Sequence, residues 1–456
     1  MKIMTLKFSL ACFCLIIFLF KSSECDFLSP ELTDVLKNTY LYSPKLKIER
    51  ELLMKEDELL PQAFSEFRPK IDGYYNKGKI DTAISGSNFI ADGVRTETNA
   101  GIKITQPIFN GGGTINNIIS AKKKIKAQRL KLKYTEQIVL LEAINVFSSL
   151  AAKKKELILN KKREEFLKKK LELAEDQFEI GEITMTDVSI AKARSSLARS
   201  DLIKSESELF AIKAKFKSLV GSESNQPKLF FDFPNFKKDL NQLTSKMIEQ
   251  NPELLSILFN IKSLNSEIKS LYSKKLPSVK LEAELKKNKG YFRSDSSREV
   301  MSAFASVSIP LYQSGLASSK IRQLRKELSS EKEFHKLKMN EYKYNLANSW
   351  SGFNSSKSKI DAYKTQIDAN QNYLKGLNQE MMLGERTLID LLDAEEELIE
   401  SEYNLIKSLE ENFNSYFEIL FYIGELNSKS LNLSVDLFDE TKNFNEVKFK
   451  WLDIIE

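Results

Sequence analysis

Two aspartates, Asp390 and Asp393, stand three residues apart, which puts both carboxylates on one face of a helix. Arg386 precedes them, just past Gly384. Such a cluster suits either of two purposes. Lining a passage, stacked carboxylates favour cations and repel anions at close quarters. The planar guanidinium fork would then hold an acid or hydroxyl such as Asp187 or Thr186. Alternatively, the acids are those favoured at any helix start by the macrodipole, and the arginine is solvated. The residues alone leave both readings open.

Other chemistry-bearing patterns are weaker. His335 is the single histidine and falls within a long helical pattern, which excludes a histidine-based triad or a multi-histidine metal site. Gly111–Gly113 opens a helix but lacks the Lys-Ser/Thr of a phosphate-binding loop. Glu395 and Glu397 read as helix-surface acids rather than a glycosidase pair. No catalytic residue, metal or cofactor is expected, and the chain does not read as an enzyme.

The elements that carry these residues follow from composition and pattern. Charged residues make up 29% of the 456, while Gly (16) and Pro (10) are scarce, as in long exposed helices. Basic and acidic residues nearly cancel, at 69 against 63. The Lys122–Lys124, Lys153–Lys155 and Lys168–Lys170 runs therefore read as solvated helix faces, not a nucleic-acid surface. Lys2, Lys7, the apolar run Phe8–Phe20 and the small-residue zone Ser22–Cys25 form a secretory signal, residues 1–25. Glu24 beside Cys25 argues against lipidation, and losing Cys12 and Cys14 with the signal leaves no intrachain disulfide.

A tandem duplication organises the rest. Pro44 pairs with Pro252 at an offset of 208, and beyond the first strands the offset settles at 203. There Pro107 pairs with Pro310, Gly112 with Gly315, Gly181 with Gly384, Asp187 with Asp390 and Gly221 with Gly424. The change of offset implies a longer hairpin loop in the first copy. The expected organisation is a first repeat over 26–221, a linker over 222–239, a second repeat over 240–424 and a tail over 425–456. Each repeat runs helix (about Leu32–Phe64; Leu243–Ser273), two strands, a proline-free helix of about 68 residues, a glycine turn and a shorter helix. At 1.5 Å per residue the long helix reaches roughly 100 Å. Ile360, Tyr363, Ile367, Asn370, Leu374, Leu377 and Met381 recur at alternating spacings of three and four, a coiled-coil seam.

The strands alternate strictly. Val279, Leu281, Ala283 and Leu285 face opposite to Lys280, Glu282 and Glu284, while Met301 to Leu311 and Ile102 to Ile108 repeat the pattern. About ten alternating residues is the pattern of a barrel strand with apolar residues toward lipid and polar ones toward a lumen. Four strands are too few to close, since the smallest such barrels need about eight. The barrel must be shared between chains.

Gly384-Glu-Arg-Thr-Leu-Ile-Asp-Leu-Leu-Asp-Ala, with its weaker twin Gly181-Glu-Ile-Thr-Met-Thr-Asp-Val, resembles the helix-turn-helix tip of the TolC family of outer membrane efflux proteins. Gln106-Pro and Ile309-Pro resemble that family's strand-to-helix junctions, at Pro107, Gly112, Pro310 and Gly315. The resemblance covers about Asp26 to Gly424. It implies an α+β membrane protein: a homotrimer with one twelve-stranded barrel in the outer membrane and a coiled-coil tunnel across the periplasm. A periplasmic adaptor and an inner-membrane pump or ABC transporter would dock on the tip, as in tripartite efflux or type I secretion. The channel itself would hold no cofactor and touch no nucleic acid.

Carried over, Asp390 and Asp393 match the aspartates of the constricted entrance. Arg386, Thr186 and Asp187 match positions that tie inner helices to neighbours in the closed state. Met381 stands where the family often has tyrosine, so one closing link is missing or replaced. Only the second copy carries both aspartates and the arginine; Ile183 and Ile190 occupy the first-copy positions of Arg386 and Asp393. The gate is therefore expected in the second copy. The reading from another class is a soluble periplasmic coiled-coil scaffold, which would not need four alternating strands flanked by Tyr291 and Phe292 as interface aromatics.

Overall fold

The computed structural model describes residues 28–82, 93–222, 227, 233–234, 236 and 238–451. The expected leader with Cys25, and residues 83–92 where the longer hairpin loop was expected, lie outside them. The first copy comprises α1 (Pro30–Tyr42), α2 (Pro44–Asp57), α3 (Leu59–Ser65), β1 (Lys70–Thr82), β2 (Gly93–Asn110), α4 (Gly113–Glu179) and α5 (Met185–Val220). The second comprises α6 (Leu240–Gln250), α7 (Pro252–Ser273), β3 (Ser278–Lys289), β4 (Ser297–Ser308), α8 (Leu316–Met382) and α9 (Leu388–Tyr422). A short α10 (Lys442–Val447) lies in the tail.

The long helices α4 and α8 each run 67 residues. Their ends obey local chemistry. Neither contains proline, and each stops at a glycine with positive φ, +80° at Gly181 and +78° at Gly384. A side chain at that φ would strain the backbone, whereas glycine accepts it. The single leading helices expected over Leu32–Phe64 and Leu243–Ser273 are instead broken. Pro44 and Pro252 lack the N–H that would continue the preceding helix and each opens the next one.

The chain forms two compact units, and each draws on both copies. The first takes the described residues of Met1–Leu46, Thr135–Asn251 and Tyr342–Leu437. Its core holds Leu140, Ile144, Phe147, Leu346, Phe353, Phe413 and Phe417, all buried. From the linker, Phe233 stacks on Tyr416 (centroids 4.3 Å apart) and meets Phe417 edge-on at 5.7 Å. This anchors that segment by aromatic packing.

The second unit takes Lys47–Tyr134, Pro252–Glu341 and the tail from Phe438. The tail lies along α2 and α4 of this unit through cation–π contacts of Arg50 with Phe438 and Arg129 with Phe444, meets α3 where Phe449 approaches Phe64, and places Trp451 under Arg68 just before β1. Its sheet is an antiparallel meander in the order β1-β2-β3-β4. β3 runs to Lys289, beyond the alternation expected to end at Leu285. β4 ends at Ser308, short of Leu311, because Pro310 has no N–H to give the ladder. Pro107 lies inside β2, at a bulge between Pro107 and Phe109, whereas Pro310 lies past β4; the two junctions are not equivalent.

The sheet is inverted relative to a soluble one. Register rows such as Ile71–Ile104–Ala283–Ala303 and Gly73–Ile102–Leu285–Met301 place the apolar residues on one face. That face is the exposed one: Met301 is 88% exposed, Ile71 66% and Leu285 57%. The polar face is the more sheltered, and its groups pair with each other. Lys103 bridges to Glu282 at 3.0 Å, and the Tyr74 hydroxyl donates to Glu284 at 2.8 Å.

Candidate functional site

The tip of the first unit is built from two turns of the same design. In one, the Gly181 and Glu182 N–H groups bond the carbonyls of Phe178 (3.0 Å) and Gln177 (2.8 Å). In the other, those of Gly384 and Glu385 bond Met381 and Glu380, each at 3.0 Å. Both are Schellman closures. Each is followed by a capping box. The Asp187 N–H donates to the Thr184 hydroxyl and the Thr184 N–H to Asp187; Thr387 and Asp390 repeat the exchange.

The structure thus gives Asp187 and Asp390 one shared local role, that of the acid closing a helix start. The Thr387 N–H and hydroxyl hold the Asp390 carboxyl below the usual carboxylate range, and the Thr184 hydroxyl and N–H do the same for Asp187. Both groups stay ionised near neutrality.

Arg386 donates to Glu380 at 3.0 Å, across its own turn, and within the chain it pairs with neither Thr186 nor Asp187. Thr186 is exposed. Asp393, one helical turn past Asp390, pairs with Arg194 of α5, whose other terminal nitrogen donates to the Leu392 carbonyl at 3.1 Å. Asp390 and Asp393 therefore share a helix face but have different surroundings.

Beneath them α9 is clamped on two sides. Leu388 and Leu392 join a cluster with Leu167, Ala174, Val188, Ala191 and Ala198 of α4 and α5. Leu391 and Ala394 pack with Leu377 of α8. The alanines let the helices approach closely. Ile183 and Ile190 pack onto the first cluster, and Met381 touches both, filling with apolar volume the place where a tyrosine would offer a hydroxyl.

A second polar tie lies deeper. Arg163 of α4 is nearly buried and donates to Asp201 of α5 at 2.9 Å and to Glu396 of α9 at 2.5 Å. Glu395 beside it is not the surface acid that its sequence suggests: it is only 8% exposed. Burial, with Glu402 close by and Glu396 adding, pushes its carboxyl up to about 7, while Arg163 and Lys170 act against the rise. The Tyr403 hydroxyl donates to Asn160 at 2.5 Å and closes the same α4–α9 contact. Nothing local marks Arg163 or Arg194, since the partners of Arg163 lie 38 and 233 residues away in the chain and Asp393 lies 199 from Arg194.

Among the described residues no helix is long and apolar enough to cross a membrane, and no group of acids, histidines and cysteines has the makings of a metal site. The first unit thus carries a four-helix tip tied by ion pairs, and the second a sheet whose apolar face is exposed. The fold occurs in known proteins. The structure superposes on the Campylobacter jejuni CmeC outer membrane channel with a TM-score of 0.79 at 15% identity, covering 94% of this chain and 91% of that one. The sequence is 24% identical to the outer membrane efflux protein BepC of Brucella suis biovar 1, over 94% of this chain and 92% of the relative. It is 21% identical to the outer membrane protein TolC of Escherichia coli, over 88% and 83%. The model of the outer membrane efflux protein family matches residues 44–222 and 243–414, one stretch in each copy, and the chain belongs to that family.

Proposed function

We propose that three copies of this chain close one twelve-stranded barrel and that the helical tip gates it. As a member of its family the protein is an outer membrane channel extending into the periplasm, a duct for export. The observation that carries the trimer is the sheet, whose apolar face is exposed, whose polar face is sheltered, and which has β1 and β4 as its outer strands. Two free edges on four strands invite pairing with further copies. A soluble periplasmic scaffold would have no use for that apolar face.

Cargo, whether drugs or secreted proteins, is handed over at the tip by an inner-membrane pump or ABC transporter through a periplasmic adaptor. Threefold repetition turns Asp390 and Asp393 into two acidic rings at the aperture. Arg194 partly offsets the second ring in the closed state. Arg386 exchanges Glu380 for Thr186 or Asp187 of a neighbouring chain when the tip is shut. Opening releases these pairs and moves α9 away from α5. Extraction and cross-linking test the reading. Recovery only with detergent and heat-sensitive migration as a trimer are expected; recovery in the soluble periplasmic fraction overturns it.

A further inference from the structure

Above the apolar rows, the exposed face of the sheet changes character toward the hairpin end. The next row is Tyr75–Ala100–Lys287–Glu299, and the one after it Lys77–Thr98–Lys289–Ser297, with Lys79 opposite Thr96 beyond. The two-residue period keeps these side chains on the apolar face rather than the lumenal one. Lys77 and Lys289 flank Thr98 from the strands on either side, so their backbones stand about 9–10 Å apart. Flexible lysine stems bring two ammonium groups within reach of one anion at that spacing, with the threonine hydroxyl between them.

The pairing of the cations differs between the two faces. On the sheltered face Lys103 and Lys280 bond Glu282, while Arg95 donates to the Gly290 and Tyr291 carbonyls and to Thr82. On the exposed face Lys287 pairs with Glu299, but among the described residues Lys77, Lys79 and Lys289 form no ion pair. The other acid on this face is Asp81, opposite Val94. Lys77, Lys79 and Lys289, in no ion pair among the described residues, thus sit directly above a band of exposed apolar residues, at the hairpin end away from the helices. That is the level of lipid headgroups, where basic side chains gain most from anionic lipid.

We infer that Lys77, Thr98 and Lys289, assisted by Lys79, bind the phosphate of a lipid headgroup in the outer leaflet, one site per chain. The inference rests on the reading that the exposed apolar face meets lipid. It commits to a lipid phosphate over a soluble anion because the lysines continue the apolar band without a break.

The test uses the full-length trimer in nanodiscs, with bis-phosphorylated lipid A and its dephosphorylated form as probes and retained lipid counted by native mass spectrometry. The wild type is expected to retain the phosphorylated form preferentially. Lys77→Gln with Lys289→Gln should lower that retention roughly tenfold or more. Lys77→Arg with Lys289→Arg should keep it, and Lys286→Gln, on the lumenal face, should leave it unchanged. Equal retention by wild type and the Gln pair overturns the site. Displacement by millimolar inorganic phosphate overturns the lipid assignment. A wild type that inserts into nanodiscs yet does not distinguish the two probes defeats this inference alone, whereas one that does not insert defeats the membrane reading as well.

Discussion

Arg194 of α5 grips Asp393 of α9 and also reaches the carbonyl of Leu392, so one side chain fastens the first copy to the last long helix of the second. The pair is partly exposed, and such ion pairs contribute at most about 1 kcal/mol to stability. Arg194→Ala should therefore leave the melting temperature within a few degrees of wild type. It should nevertheless raise single-channel conductance in planar bilayers and increase cation preference, because Asp393 loses its counter-charge. An unchanged conductance would remove this pair from the gate.

Arg386 and the two aspartates separate the aperture reading from the helix-start reading. Arg386→Ser should raise conductance if the side chain holds a neighbouring chain in the closed trimer. If it only spans its own turn to Glu380, conductance will not move. Asp390→Ala should both weaken cation selectivity and lower the melting temperature through the lost capping box. Asp393→Ala, outside the cap, should alter selectivity with little loss of stability. Bilayer recordings beside thermal melts distinguish the two.

Glu395 gives the tip a pH dependence of determinate sign. Its folded carboxyl is raised to about 7 from the ordinary value, so between about pH 4.5 and 7 the folded state holds a proton that the unfolded chain has released. Stability from this group is fully present below that window and is lost as pH rises through 7. Protection factors of α9 amides, measured against the intrinsic base-catalysed exchange rate at each pH, should fall from pH 5.5 to 8. Glu395→Gln, neutral throughout, should flatten the pH profile of protection and raise protection at pH 8.

Two glycine substitutions should differ in severity. Gly384→Ala meets only the strain of its positive φ, about 1–2 kcal/mol, because nothing lies within 4 Å of the added carbon. Gly424→Ala has a similar φ of +82° and would also press on the Gln250 carbonyl oxygen at 2.7 Å. Its melting temperature should fall clearly further.

The sheet faces are tested by adjacent residues. Ala303→Arg, on the exposed face, should impair insertion by about 2–4 kcal/mol near the membrane midplane, read as loss of heat-stable trimer. Ser302→Arg, on the sheltered face, should assemble normally.

The sequence was informative wherever the signal was local. Proline-free stretches ending in glycine set the limits of α4 and α8 to within a residue or two, and Thr-x-x-Asp after each turn glycine marks the caps. The seam through Ile360, Ile367 and Leu377 is buried as its spacing implies. What stayed hidden depends on partners distant in the chain. Arg163 and Arg194 look like any cation on a Lys-rich helix face, and nothing near Glu395 signals its burial. The anchoring of Phe233 on Tyr416 needs α9 in place. β1 carries Gly73, Gly78 and three lysines, so its alternation is too weak to define its extent without β2 beside it.

The ladder between β2 and β3 has a consequence for biogenesis. It joins residues as far apart as Thr98 and Lys289, so β2 waits for the linker and the opening helices of the second copy to be synthesised before its second edge is satisfied. The entropy of closing so long a loop grows only slowly with length, but the pairing must be found late and non-locally, which makes it slow. Through that interval a β1–β2 hairpin with an open edge and an apolar face is exposed to aggregation. Production of this channel should therefore be limited by escort of the unfinished sheet, and chaperone supply rather than synthesis rate should set its yield.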